Sequence, residues 1–364
     1  MSVSRRRRLP PAGVLPGLLI SLLTTLPLAA EPIPDRDCLL RLAEEGADSM
    51  TLAEVRQRCR SAAAVGAAPA DIVGDLADER EAGDASAQPG DPGQPSMLQA
   101  RMDSDRRAAG RPFSVTAHRP NYLLLGAWNA EGWDASPYAD EIGGEGYSND
   151  DIEAQFQVSL KMPVAVGLLD DRLDIYAAYT NRSFWQVYNR EHSAPFRETN
   201  HEPEIWLQLR NDWTVFGLTN AVNTVGWVHQ SNGQSGARSR SWDRLAANFV
   251  FERAHFALVF RPWLWLDWEG EDSENPDIDD YLGHGEVRLV YGRKGHVLSA
   301  MIRNQLESGF DRGAVELSWS FPVFGYSYLR GYVQYFQGYG ESLIDYNRKV
   351  NRIGIGVSVT DWLD

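Results

Sequence analysis

Three side chains in the middle of the chain, His229, Ser231 and Asp243, have the types and the spacing that nucleophilic catalysis requires. His229 and Ser231 are two residues apart in an alternating segment, so a β-strand would place both on the same face. If residues 232–240 form the loop of a symmetric hairpin, position 229 lies opposite position 243, with Cβ atoms about 4.5–5.5 Å apart. This register predicts a Ser-His-Asp arrangement in which Ser231 is the nucleophile, His229 the general base and Asp243 the group that orients the imidazole.

The same residues also have an explanation without catalysis, since a His two positions from a Ser is commonly a coincidence on a protein surface. Asp243 adds weight to the catalytic interpretation because it shares its strand face with apolar residues such as Leu245 and Phe249. If this strand face lies in a membrane, placing a carboxylate against lipid costs free energy unless the carboxylate has a partner. The residues by themselves leave catalysis and coincidence both open.

The elements that must position these residues are β-strands. Beyond residue 111 the chain alternates apolar and polar residues in short runs, which are separated by clusters of Gly, Asn, Asp and Pro. In the clearest run Leu317 and Trp319 lie on one face and Glu316 and Ser318 on the other, which is the period of a half-buried strand. About twelve such runs occur, near 114–126, 152–163, 172–186, 201–210, 221–231, 241–252, 256–266, 281–292, 296–305, 314–321, 326–336 and 352–360.

The N-terminus has the organisation of a secretory signal peptide. Arg5-Arg6-Arg7-Arg8 precedes an apolar stretch, Val14 to Leu28, and Ala29-Ala30 offers a small-residue cleavage site. A transmembrane anchor is the alternative, but it needs about 20 unbroken apolar residues, and this stretch is shorter and contains prolines. We therefore expect residues 1–30 to direct export. Because no other segment is as apolar, any membrane insertion of the mature chain must use strands.

Twelve alternating strands would also suit a soluble sandwich or barrel. Three features favour a membrane barrel: the export signal, strand lengths near the roughly 9–11 residues that cross a bilayer obliquely, and aromatic residues at strand ends. The predicted fold class is an all-β transmembrane antiparallel β-barrel of about twelve strands. Candidate interfacial aromatics are Trp263, Trp265, Trp268, Trp319, Tyr326, Tyr328, Tyr332 and Tyr335.

The segment before the barrel has a different composition. Cys38 and Cys59 are the only two cysteines, and in an exported chain we expect them to form a disulfide that staples a helical hairpin over residues 31–60. Residues 61–111 are rich in Ala, Gly, Asp and Pro and predict a disordered linker. The barrel domain then spans 112–364. The formal net charge of -15 argues against a nucleic-acid partner.

Several longer motifs resemble the outer membrane phospholipase A family. The resemblance covers roughly residues 112–364 and keeps the order and spacing of the motifs. They are His229-x-Ser231-Asn232-Gly233, Ser239-Arg240-Ser241-Trp242 before Asp243, Ser183-Phe184-Trp185-Gln186, Pro195-Phe196-Arg197-Glu198-Thr199-Asn200, Asn275-Pro276-Asp277, and Gly338-Tyr339-Gly340-Glu341-Ser342-Leu343-Ile344-Asp345-Tyr346-Asn347.

The resemblance implies a twelve-stranded barrel in the outer membrane of a Gram-negative bacterium. It implies hydrolysis of acyl ester bonds of phospholipids, with phospholipase A1, A2 and lysophospholipase activity, a requirement for Ca²⁺ and activation as a homodimer. The alternative is a catalytically silent structural or porin-like barrel. Inward side chains would fill a barrel of this size and so disfavour a wide pore; the candidates are Glu286, Arg288, Arg303 and Glu316.

By motif position, the resemblance also assigns site residues. Ser231 and His229 match the family's nucleophile and base, and the amide of Gly233 matches an oxyanion-hole donor. The implied calcium ligands are the main-chain oxygen of Gln234, the hydroxyl of Ser239, and the main-chain oxygen of Ser193 from the partner subunit. Asp243 departs from the family, in which Asn is the common third member, so we expect this protein to differ in its pH profile.

Overall fold

The structure is a computed structural model, and it describes residues 96–363 except 112, 139–146, 269, 271–272, 305–307 and 310. All of them belong to the compact unit Ser86–Asp364. The long strands of this part are β1 (Tyr122–Asn129), β2 (Ile152–Gly167), β3 (Leu173–Trp185), β4 (Phe196–Arg210), β5 (Leu218–Ser231), β6 (Ser241–Arg253), β7 (Phe256–Trp265), β8 (Gly285–Arg293), β9 (His296–Arg303), β10 (Ala314–Val323), β11 (Tyr326–Gly338) and β12 (Val350–Ser358). Each strand pairs antiparallel with its neighbours along the chain and β12 pairs with β1, so the predicted antiparallel barrel of about twelve strands is confirmed.

Shorter elements lie at the ends of the barrel. Two-residue strands, Thr116–Ala117 and Thr214–Val215, pair with β2 and β5. The α-helices within the described residues are α1 (Met97–Ala109), α2 (Leu168–Asp171) and α3 (Ile278–Leu282), and 3-10 helices cover Ser136–Tyr138 and Gly236–Arg238. In the part of the chain that the structure describes, no helix has both the length and the apolar character needed to cross a membrane.

The barrel wall is apolar outside and polar inside. On β10, Leu317 and Trp319 are 46% and 42% exposed, whereas Ser318 and Ser320 are buried. The other strands repeat this alternation. In a soluble protein the arrangement is the reverse, with apolar side chains buried and polar side chains exposed. Apolar side chains on an outer wall are stable in lipid, so the pattern is that of a transmembrane barrel.

The lumen is filled by paired polar side chains. Arg288 donates to Glu316 at 3.1 Å and to Ser299 at 3.0 Å. Arg119 donates to both Glu202, at 2.5 Å, and Glu204, at 2.6 Å. A buried charge is tolerated only when it is paired in this way. Side chains thus occupy the interior, as expected for a barrel that is not a wide pore.

The two ends of the barrel differ in the length of their connections. Five connections at one end are short: 168–172, 211–217, 254–255, 294–295 and 324–325. The six at the other end are longer: 130–151, 186–195, 232–240, 266–284, 304–313 and 339–349. Bacterial barrels place short turns in the periplasm and long loops outside the cell. The loop 232–240, which follows Ser231, therefore lies at the outer-leaflet end.

The interpretation of residues 61–111 as a disordered linker is wrong for residues 97–109, which form helix α1. Ser96 and Gln99 form a reciprocal capping box at its start, and the side chain of Arg101 donates to the main-chain oxygen of Asp361 at 2.9 Å. Lys161 on β2 donates to Asp105 at 2.5 Å. These contacts order a polar helix that its composition does not predict. The expected signal peptide, the helical hairpin with Cys38 and Cys59, and the rest of the expected linker up to residue 95 lie outside the described residues.

Some strand bounds also differ from the sequence pattern. The run near 114–126 is divided into the two-residue strand Thr116–Ala117 and β1, which begins at Tyr122; Pro120, between them, has no amide to donate. Strand β4 begins at Phe196 rather than near 201, since Thr199 pairs with Ser183 of β3. The run near 281–292 starts as the end of α3, and β8 begins at Gly285.

Candidate active site

The hairpin formed by β5 and β6 has the register expected from its loop length. Ser231 pairs with Ser241, and His229 pairs with Asp243. The His229 Nδ1 and the Asp243 Oδ1 are 3.1 Å apart, within hydrogen-bond distance. The side chains are 30% and 19% exposed, respectively. The structure therefore brings together the two residues proposed as base and acid.

This pair lies on the outer wall of the barrel. The outward neighbours Trp227 and Leu245 are exposed, whereas the intervening Val228 on β5 is buried. The Trp227 ring stacks on the ring of His229, with centroids 6.0 Å apart and an interplanar angle of 23°. The imidazole is held between an aromatic ring and a carboxylate on a surface that faces lipid.

Ser231 ends β5 and is half-buried on the same face as His229. The described hydrogen bond of the His229 ring is the one to Asp243, and within the described residues no hydrogen bond joins that ring to the Ser231 hydroxyl. On the other side of Ser231, across to β4, the register partner is His201. The nucleophile candidate thus lies beside two imidazoles, one on its own strand and one on the neighbouring strand.

The loop 232–240 is organised around the buried side chain of Asn232. Its Nδ2 donates to the main-chain oxygen of Arg238 at 2.8 Å. Its Oδ1 accepts from the amides of Gln234, at 3.2 Å, and Arg240, at 3.0 Å. Gly233 has a φ of +65°, in the left-handed region that favours glycine. One side chain therefore sets the path of the segment that carries the expected oxyanion donor and two expected calcium ligands.

The expected calcium ligands lie at the outer end of the barrel. Gln234 is exposed and Ser239 half-buried in the loop 232–240, and Ser193 is exposed in the loop 186–195 with a φ of +62°. The described residues contain no group of three or more His, Cys, Asp or Glu side chains able to hold a metal ion. The donors expected at this site are carbonyl and hydroxyl oxygens. These neutral oxygens fit Ca²⁺, which takes backbone carbonyls and water as well as carboxylates.

Hydrogen bonds join two neighbouring loops, 266–284 and 339–349, to the β5–β6 hairpin. The side-chain oxygen of Asn275 accepts from the amide of Ser241 at 3.1 Å, where β6 begins. Tyr346 donates to Asp277 in the same loop, 266–284. Burial, together with this carboxylate, raises the pKa of Tyr346 above its ordinary value, so the phenol stays a donor. These contacts join the loops 266–284 and 339–349 to the strand that carries Asp243.

A second cluster of residues lies at the outer end of the barrel, and two of them, Arg197 and Asp345, appeared in the sequence only as parts of separate family motifs, with no role assigned. Arg197 is fully buried, and both its Nε and Nη2 donate to Glu153 at 2.9 Å. It also donates to Asp345, and its guanidinium lies 4.2 Å from the centroid of the Trp133 ring. The Arg197 motif was visible in the sequence, but its partners are distant along the chain. This cluster ties β2, β4 and two loops together at the outer end.

Comparison with known proteins identifies the family. The model of the family described as phospholipase A1 matches residues 98–359. The chain belongs to the phospholipase A1 family. It is 35% identical to phospholipase A1 of Klebsiella pneumoniae over 259 residues, which cover 69% of this chain and 84% of the relative. It is 35% identical to phospholipase A1 of Escherichia coli strain K12 over 253 residues, which cover 69% of this chain and 83% of the relative.

Solved structures of the same kind are similar in fold. Outer membrane phospholipase A from Escherichia coli has a TM-score of 0.63 and 34% identity, covering 69% of this chain and all of that one. An outer membrane phospholipase of Salmonella typhi, solved as a dimer with bound calcium, has a TM-score of 0.62 and 34% identity, covering 69% of this chain and 94% of that one. The protein is thus a β-barrel phospholipase of the outer membrane.

Proposed function

We propose that this phospholipase cleaves acyl ester bonds at both the A1 and A2 positions of phospholipids, and those of lysophospholipids, at a Ser231-His229-Asp243 triad on its lipid-facing wall. The observation that carries the proposal is the 3.1 Å contact between His229 and Asp243 on that wall. The polar atoms of these two side chains face the acyl chains and ester groups of membrane lipids. A substrate therefore reaches the triad from the membrane plane and does not have to enter the filled lumen.

The geometry supports the following steps. Asp243 accepts from the Nδ1–H of His229, which leaves the Nε2 free to take a proton. The Ser231 Oγ attacks the ester carbonyl carbon and gives its proton to that Nε2, and the carbonyl oxygen gains the charge. The Gly233 amide donates to this oxyanion. The imidazolium then protonates the leaving glyceryl oxygen as the C–O bond breaks, and water hydrolyses the acyl-serine by the same route in reverse.

Calcium and dimerisation complete the proposal. Gln234 and Ser239 would hold the ion through a carbonyl and a hydroxyl oxygen, and the main-chain oxygen of Ser193 would be supplied by the second copy in a homodimer. When bound, Ca²⁺ would supply positive charge that stabilises the oxyanion. The Salmonella typhi relative, solved as a dimer with bound calcium, supports this part of the proposal.

The test is hydrolysis of a phospholipid by the purified protein in detergent, with Ca²⁺ or with a chelator. We expect Ser231→Ala to abolish hydrolysis and the chelator to abolish it in the native protein. Ser241→Ala is the matched control, because Ser241 is the register partner of Ser231 on the neighbouring strand. Equal rates for native protein and Ser231→Ala would reject the nucleophile, and full activity in the chelator would reject the role of calcium.

A further inference from the structure

We propose that His201 is a further catalytic residue, whose Nε2–H donates a second hydrogen bond to the oxyanion beside the amide of Gly233. This inference rests on the proposed function, since it assumes that Ser231 is the nucleophile. It adds a residue that lies on a different strand from the triad. Three observations carry it: the register of β4 with β5, the partners of the His201 ring, and the closeness of that ring to Gly233.

The register places His201 next to the nucleophile. His201 on β4 is the direct partner of Ser231 on β5. Directly opposed residues of antiparallel strands have Cβ atoms about 4.5–5.5 Å apart, and their side chains share a face. His201 therefore lies on the outer wall with Ser231, on the side opposite to β6.

The ring of His201 has a defined orientation. Its Nδ1 is 2.5 Å from the hydroxyl of Tyr179 and 3.5 Å from the Nδ2 of Asn181, both on β3. The amide group of Asn181 can only donate through its Nδ2, and the tyrosine hydroxyl can donate as well. With donors on this side, Nδ1 accepts and the proton of the neutral imidazole lies on Nε2.

The edge of the ring that carries Nε2 lies near Gly233. A Cβ atom built on Gly233 would be 3.7 Å from both the Nε2 and the Cδ2 of His201. The imidazole edge and the Gly233 backbone therefore border the same space at the end of β5, next to Ser231. Two donors that converge on one point form an oxyanion hole, and each such donor stabilises the charge that develops in the transition state.

The surroundings of His201 argue against a purely structural role. Ile205, further along the same outward face of β4, is exposed as an apolar residue of the lipid-facing wall. Polar residues on such a wall are costly and are retained where they perform a function. Tyr179, which holds the ring, is itself 46% exposed on this wall. Contact with the substrate thus explains why two polar side chains, those of His201 and Tyr179, face lipid near the nucleophile.

The experiment compares three variants of the full chain in phospholipid–detergent micelles with saturating Ca²⁺. His201→Phe keeps a ring but removes the donor, and we expect kcat to fall roughly 100- to 1000-fold with little change in KM. His201→Gln keeps an N–H donor and should recover part of this loss. Tyr179→Phe removes the hydroxyl that orients the ring and should lower kcat roughly 2- to 10-fold, the range of one neutral hydrogen bond.

His296→Phe is the matched control, because the ring of His296 is stacked on that of Trp319, as the ring of His201 is stacked on that of Tyr179, but His296 lies on β9. It should have native kcat. Heat-dependent gel mobility and calcium-dependent crosslinking show that each variant forms the folded barrel and the dimer. If Ser231→Ala is inactive while His201→Phe retains native kcat, or loses only affinity, the role of His201 is refuted and the proposed function stands. If Ser231→Ala retains activity, the proposed function itself fails.

Discussion

Replacing Asp243 tests the role proposed for its carboxylate in the candidate triad with His229 and Ser231. Asp243→Ala removes the partner of the His229 Nδ1, and Asp243→Asn keeps an acceptor oxygen but removes the charge. The native contact is 3.1 Å long and joins side chains that are 30% and 19% exposed. Both are less than one third exposed, so solvent weakens the pair only in part. We expect activity to decrease in the order native, Asn variant, Ala variant.

The magnitude follows from the strength of this contact. A hydrogen bond to a charged group contributes about 1.5–3 kcal/mol, and about 1.36 kcal/mol corresponds to a tenfold change in rate. Asp243→Ala should therefore lower kcat/KM by roughly 10- to 150-fold. A neutral hydrogen bond is roughly half as strong, so Asp243→Asn should lower it by only roughly 3- to 12-fold.

The assay is the initial rate of phospholipid hydrolysis with saturating Ca²⁺, measured side by side for the native protein and both variants at one pH. Native activity in the alanine variant would show that Asp243 does not assist His229. An asparagine variant that is slower than the alanine variant would refute the assigned orientation of the ring.

Two further predictions concern the loop and the lumen. Asn232→Ala should raise the Ca²⁺ concentration needed for half-maximal activity, because Asn232 sets the path of the segment with Gln234 and Ser239. A calcium titration of the activity measures this, with Asn248→Ala in the same hairpin as the control. An unchanged half-maximal Ca²⁺ concentration in Asn232→Ala would contradict the role of Asn232. Arg288→Met removes the hydrogen-bond partner of Glu316, whose side chain is 12% exposed, and should lower the free energy of unfolding in lipid vesicles by roughly 3–5 kcal/mol. The double variant Arg288→Met/Glu316→Gln should regain part of this stability, and a single variant as stable as the native protein would contradict the assigned pair.

Much of the candidate triad's arrangement was predictable because it depends on short-range geometry. Strand alternation has a period of two, so His229 and Ser231 must share a face. A symmetric hairpin with the loop 232–240 then places Asp243 of β6 opposite His229, and the structure has that pairing. The alternation on β10 likewise indicated which side of the wall is apolar, although it did not by itself distinguish lipid from a protein core.

His201 was not recognised because its position depends on the tertiary structure. His201 lies on β4, and the turn 211–217 joins β4 to β5. Within this turn the short strand Thr214–Val215 also pairs with β5, so the register of β4 against β5 cannot be inferred from spacing alone. Likewise, α1 is ordered by Arg101, whose partner Asp361 is 260 residues away.

The sequence by itself determined the strand pattern, the polarity of the barrel's two faces and the alignment of His229 with Asp243, since each follows from local periodicity or a short hairpin. Only the tertiary structure decided the register of β4 against β5, which places His201 beside Ser231, and which side chains fill the lumen. The physical reason is that this register depends on how the turn 211–217 folds, and that polar contacts between remote segments depend on closure of the whole barrel.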